Sequence, residues 1–169
     1  MELFNNYGPK PNAELILGYG FSLPDNPDDT IVLKIGSRGF QTSSGAVSEK
    51  QWEVGRDARG AESVFSAVLE VVSPRPEQRS IEDELDAAAM LEDMALSLFE
   101  RLPGASSSEL RPEVALMLEH YLEGQRDIIT ALIVFAHEKE TKALQIARDQ
   151  GKVFCEGDEL EQVQEDEEE

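Results

Sequence analysis

The 169-residue chain is poor in the residues that staple small folds together or bind metals, with one cysteine, Cys155, and two histidines, His120 and His137. A single cysteine closes no internal disulfide. With only those histidines as soft partners there is no cluster at zinc-ligand spacing, so disulfide and structural-metal readings are set aside. Long apolar runs are missing too. The longest lies around Ala131 to Ala136, far short of the roughly 20 residues that span a bilayer. Met1 is followed by Glu2, Asn5 and Asn6 rather than by a basic, then apolar, leader. No membrane partner is expected, and the chain reads as a soluble protein of cytoplasm or nucleus. Basic residues are scarce: 15 lysines and arginines stand against 35 aspartates and glutamates, a formal net charge of −20. No basic cluster interrupts that field, so no nucleic-acid partner is expected for this chain alone.

What is present is enough for a modest core, since 40% of the residues are hydrophobic. Residues 1 to about 55 are rich in Gly, Pro, Asn and Asp and carry short β-type runs. Thr30 to Ile35 is a good strand candidate, whereas Leu15-Ile16-Leu17 can be read as a strand or as one helical turn capped by Asn12. Ile35-Gly36-Ser37-Arg38-Gly39 reads as a turn. From about residue 57 the period becomes helical. Ala61, Val64, Phe65, Val68 and Val72 form one stripe, which Ser73-Pro74-Arg75-Pro76 ends. A second helix opens at Ser80, whose hydroxyl can cap the Asp83 amide, and carries Ile81, Leu85, Ala88, Leu91, Ala95, Leu98 and Leu102. A third, long helix begins near Pro112 and shows Val114, Leu118, Tyr121, Ile128, Leu132, Phe135, Ala143 and Ile146 on one side. Trp52 reads as packing and His120 as a surface or capping residue. The last segment, Glu156 to Glu169, holds nine acidic residues and no basic one, and is expected to be a disordered acidic tail.

Chemistry concentrates near the start, in Asn6-Tyr7-Gly8, Asn12-Ala13-Glu14-Leu15 and Tyr19-Gly20-Phe21. At this spacing the segment resembles the last SET motif of the Rubisco large subunit methyltransferase group. The Asp25 to Ile35 stretch fits that group as well, and the later helices resemble its substrate-binding domain. The resemblance implies a mainly α chain with a short N-terminal β or irregular segment: an incomplete SET β-fold, then a three-helix domain with one long helix. Residues 1–24 would end the SET domain, 25–155 would form the helical substrate-binding domain with a leading strand, and 156–169 the tail. It further implies transfer of a methyl group from S-adenosylmethionine to a lysine of a protein substrate, with Tyr7 as the catalytic tyrosine and Tyr19 lining the lysine channel. A phenol suits such a site, because its oxygen accepts weak hydrogen bonds while its ring walls a narrow apolar channel.

The family's cofactor site also draws on an early Gly-x-Gly-type segment and an Asn-His pair. This chain has no Asn-His pair, and its Ile35 to Gly39 glycines follow the tyrosine motif instead of preceding it. Tight binding of S-adenosylmethionine to this chain alone is therefore not expected, and neither cofactor-binding nor metal-binding residues are assigned. The expectation is a fragment of a lysine methyltransferase, inactive alone. The alternative is a non-catalytic helical interaction module with a vestigial SET segment. Either way Leu3, Phe4, Leu15, Leu17 and Phe21 are expected to lack their usual apolar cover.

Overall fold

The structure, a computed structural model, describes residues 8–41, 47–104 and 110–151. The order of elements is helix α1 (Asn12–Tyr19), strands β1 (Thr30–Gln41) and β2 (Val47–Gly55), then helices α2 (Ala61–Val72), α3 (Ile81–Arg101) and α4 (Pro112–Asp149). The fold is thus mainly helical, with one two-stranded antiparallel sheet towards its N-terminal side.

β1 alternates cleanly over its first half. Ile31, Leu33 and Ile35 are buried, whereas Val32 and Lys34 point outward, as a half-covered pleated strand requires. The expected turn at Ile35 to Gly39 is not there. β1 continues through these residues to Gln41 and returns as β2, in a register pairing Thr30 with Gly55 and Leu33 with Trp52, with an irregularity between Gly36 and Gln41. Gly36 and Gly39 weaken a strand but do not end it when a partner strand supplies the hydrogen bonds. Trp52 sits half-buried against the core opposite Leu33, a packing position.

A 3-10 turn (Arg56–Ala58) leads into α2. Gly60, just before α2, has φ 93°, and a Cβ there would lie 2.6 Å from the Glu53 carbonyl oxygen, so the entry to this helix needs glycine. α3 opens with a capping box: the Asp83 amide donates to Ser80 Oγ (3.2 Å) and the Ser80 amide donates to Asp83 Oδ2 (2.8 Å). That pair of bonds, chiefly the Ser80 amide, holds the Asp83 carboxyl below its ordinary range.

α4 has 38 residues, which makes it about 57 Å long at helical rise. It backs the other elements, and α3 lies along it. The main core cluster among the described residues encloses Val64 and Val68 of α2, Ala87, Leu91 and Ala95 of α3, and Ile128 and Leu132 of α4 together with Val54 of β2. Alanines at the α3 and α4 seam let two long helices approach closely without losing helix propensity. The sheet lies against α2 and α4 through Ile31, Leu33 and Ile35.

Candidate functional site

The tyrosine-bearing segment is a helix and a turn. Asn12 does not cap α1 with its side chain, as one reading of the sequence proposed; it is the first helical residue and wholly buried. The cap comes from far along the chain, because the Asn12 amide donates to Asp29 Oδ1 at 2.6 Å. A carboxylate at a helix N-terminus meets both an unpaired amide and the positive end of the helix dipole. The Asn12 side chain is released to clamp the other end of the segment. Its Oδ1 accepts the Leu23 amide at 2.8 Å, and its Nδ2 donates to the Leu23 carbonyl at 2.9 Å and to Asp29 Oδ2 at 3.1 Å. α1 ends at Tyr19 because Gly20, with φ 73°, takes the left-handed cap conformation and donates to the Ile16 carbonyl at 3.1 Å.

Tyr19 is thereby held at the C-terminal end of α1 with 46% of its surface exposed. Its ring centroid is 6.3 Å from that of Phe21, and the Lys10 ammonium lies 5.9 Å from it. Lys10 is also paired with Glu14, whose carboxylate raises the ammonium's pKa. One residue past Phe21, Ser22 Oγ is 2.8 Å from Nδ1 of His120 on α4. His120 is therefore a half-buried partner of the tyrosine segment and not a loose surface group.

Behind this segment is a buried polar joint. Asp29 is 1% exposed, and Arg56 Nη2 lies 3.6 Å from its Oδ2. Arg56 makes a two-pronged bond to Glu123 of α4 (3.0 and 2.7 Å), reaches Asp127 at 3.1 Å, and donates through Nε to the Asn26 carbonyl at 2.9 Å. Burial pushes the Asp29 carboxyl above its ordinary value, against the Asn12 amide and Arg56, which pull it down. Gly124 on α4 leaves the space for this carboxylate: a Cβ there would stand 2.3 Å from Asp29 Oδ2. One guanidinium and one carboxylate so connect α1, the approach to β1, and α4.

Beside α1 runs an apolar groove of about 480 Å³ between that helix and the start of α4, whose lining includes Ile16, Leu17, Leu110, Val114, Leu118 and Tyr121. Leu17 is 90% exposed, as expected for an apolar residue without cover. Leu15 departs from that expectation: it is 3% exposed, because α1 turns it inward while packing on α4. The groove does not fit S-adenosylmethionine, since its lining among the described residues is aliphatic apart from the Met117 thioether and the Tyr121 phenol and offers no side-chain carboxylate, amide or cation to the ribose hydroxyls or the amino-acid end.

Tyr7, Leu3, Phe4 and the acidic tail lie outside the described residues, so Tyr7 and Tyr19 are not seen together. Asp29, Arg56, Gly124 and the Ser22–His120 pair were not singled out for these roles from sequence. Only the Asp-Asn-Pro-x-Asp run from Asp25 to Asp29 hinted at a fixed turn. Tertiary packing also brings His137 of α4 beside Glu92 of α3, with Nε2 and Oε1 2.9 Å apart. Among the described residues no helix is long and apolar enough to cross a membrane.

No protein-family model matches the chain. Two curated proteins share a 34-residue stretch with it: ribosomal lysine N-methyltransferase set10 of Schizosaccharomyces pombe, at 71% identity, and ribosomal lysine N-methyltransferase 1 of Saccharomyces cerevisiae, at 59%. The shared stretch is 20% of this chain and 6% of each relative's length. Over that stretch the chain is related to SET-domain lysine methyltransferases.

Proposed function

We propose that this chain supplies the tyrosine-bearing end of a SET methyl-transfer site, together with the helical domain behind it, to a protein-lysine methyltransferase that uses S-adenosylmethionine. The observation that carries the reading is the 34-residue stretch shared at 71% and 59% identity with two lysine methyltransferases. In this reading the phenol of Tyr7 and the ring of Tyr19 wall the channel that receives the substrate lysine. Tyr19 is exposed and already lies beside an ammonium, that of Lys10, which an incoming lysine would displace. The Asn12–Asp29–Arg56 joint and the Ser22–His120 bond hold that ring on α4, which matters because positioning contributes much of the rate in such transfers.

This reading leaves the cofactor to groups outside this chain, and gives the apolar groove of Ile16, Leu17 and Val114 to the packing of the cofactor-binding part of the SET fold. The substrate is a lysine-rich, ribosomal-type protein, for which the net charge of −20 provides steering. The Rubisco-methyltransferase-like group is the family branch this reading assigns.

The test is methyl transfer from labelled S-adenosylmethionine to purified ribosomal protein, by an enzyme carrying this chain together with the Gly-x-Gly and Asn-His segments. Tyr7→Phe is expected to lower transfer by roughly 100-fold, the scale of a lost positioning group, with an unchanged melting temperature. Full activity in that variant would remove Tyr7 from the site. Tight calorimetric binding of the cofactor to the chain alone would contradict the division of the site.

A further inference from the structure

We propose that Glu92, His137 and Glu140 form a site for a divalent transition-metal ion of the zinc class, bridging α3 and α4. One donor atom from each of the three side chains lies within 4.8 Å of the others, and His137 Nε2 is 2.9 Å from Glu92 Oε1. Bonds of about 2.0 to 2.2 Å at tetrahedral angles set ligand atoms about 3.3 to 3.6 Å apart, so these donors need only small side-chain rotations to close on an ion.

Acidic groups are spread over this surface, and charge alone does not single out a place on it. The imidazole does. It shares the cluster with two carboxylates, and a nitrogen with oxygens is a donor set for zinc, cobalt or nickel in preference to magnesium or calcium. The ligands also come from two elements whose spacing is rigid. Leu91, next to Glu92, is 0% exposed, and Ala136, next to His137, is 1% exposed. His137 and Glu140 are one helical turn apart, which sets both on one face of α4. Three protein ligands leave a fourth position for water.

The test uses the full chain stripped with a chelator. Calorimetric titration with zinc is expected to show one ion per chain, and titration with cobalt(II) to give the intense visible absorption of a four-coordinate site. His137→Ala, at a side chain 54% exposed and therefore harmless to folding, is expected to weaken zinc binding by upward of roughly 100-fold, more than loss of an outer-sphere partner costs. Glu140→Gln and Glu92→Gln weaken it less. Glu138→Gln and Cys155→Ser leave it unchanged. Equal affinity in wild type and His137→Ala, loss of binding in Cys155→Ser, or a cobalt spectrum like that of the hydrated ion would each overturn the site.

Discussion

The tyrosine-bearing segment and the α3–α4 pair are held by opposite means. Around α1 the joints are polar: a buried carboxylate, an asparagine and an arginine tie residues 10 to 29 to α4 through directed bonds. Along α3 and α4 the enclosed seam is built from alanine, leucine and isoleucine, among them Ala87, Leu91, Ala95, Ile128 and Leu132. Apolar packing is non-directional and summed over area, so it sets global stability. Directed polar bonds are modest in net worth yet costly to break when buried, and they fix geometry. A segment that must present one ring at one place is better served by the second kind.

Breaking the seam should produce the largest effect. Leu132→Ala, at a fully enclosed position, is expected to cost about 4 kcal/mol, within the usual range for a large-to-small core change, and to lower the denaturation midpoint of the whole chain. Asp29→Ala is expected to cost about 2 to 3 kcal/mol, because it removes the cap of α1 and takes from the buried Asn12 amide and side chain the carboxylate they donate to. Hydrogen exchange should show that loss first in residues 12 to 19, with α3 and α4 still protected.

The same carboxylate carries a pH signature. Its folded pKa lies above the unfolded value of 3.8, so the folded state keeps the proton to higher pH than the unfolded chain does. Its contribution to stability is therefore greatest in acid and falls as pH rises through the folded value. Wild type should lose stability relative to Asp29→Asn on going upward from about pH 4, the ordinary aspartate value. A difference that grows in the opposite direction would mean that Arg56, and not burial, dominates at Asp29.

Gly124→Ala sharpens the comparison, since two effects of known size compete at one position. Replacing a mid-helix glycine gains about 1 kcal/mol of helix propensity, but the new methyl collides with a carboxylate pinned on two sides, and overpacking of that kind costs about 1 to 3 kcal/mol. A net loss of about 1 kcal/mol is expected in urea denaturation. At the small end, Leu17→Gln should change the stability of this chain by less than about 0.5 kcal/mol, as exposed positions do. In the methyltransferase proposed above, the same change should weaken seating of the proposed cofactor-binding part on α1.

The three later helices could be read ahead of time because their signals are local. A 3.6-residue stripe, the Ser80 cap and Pro112 at a helix start act within one or two turns, and α3 begins and ends within a residue of its pattern. β2 was not foreseen. Its residues Val47 to Gly55 mix Glu, Lys and Gln with Val and Trp, and they become a strand through pairing with β1. Leu15 and Leu17 were both expected to be uncovered; two residues apart on a helix, they face different sides, so only Leu17 remained exposed.

By itself the sequence determined the helical periods, the acidic field and the tyrosine motif, because each depends on neighbours within a few positions. Only the tertiary structure decided that Asp29 caps a helix 17 residues away, that His120 holds Ser22, that a glycine in a long helix makes room for a carboxylate, and that His137 meets Glu92. Those pairings join groups 17 to 98 residues apart, where only the packing of the helices sets the distance.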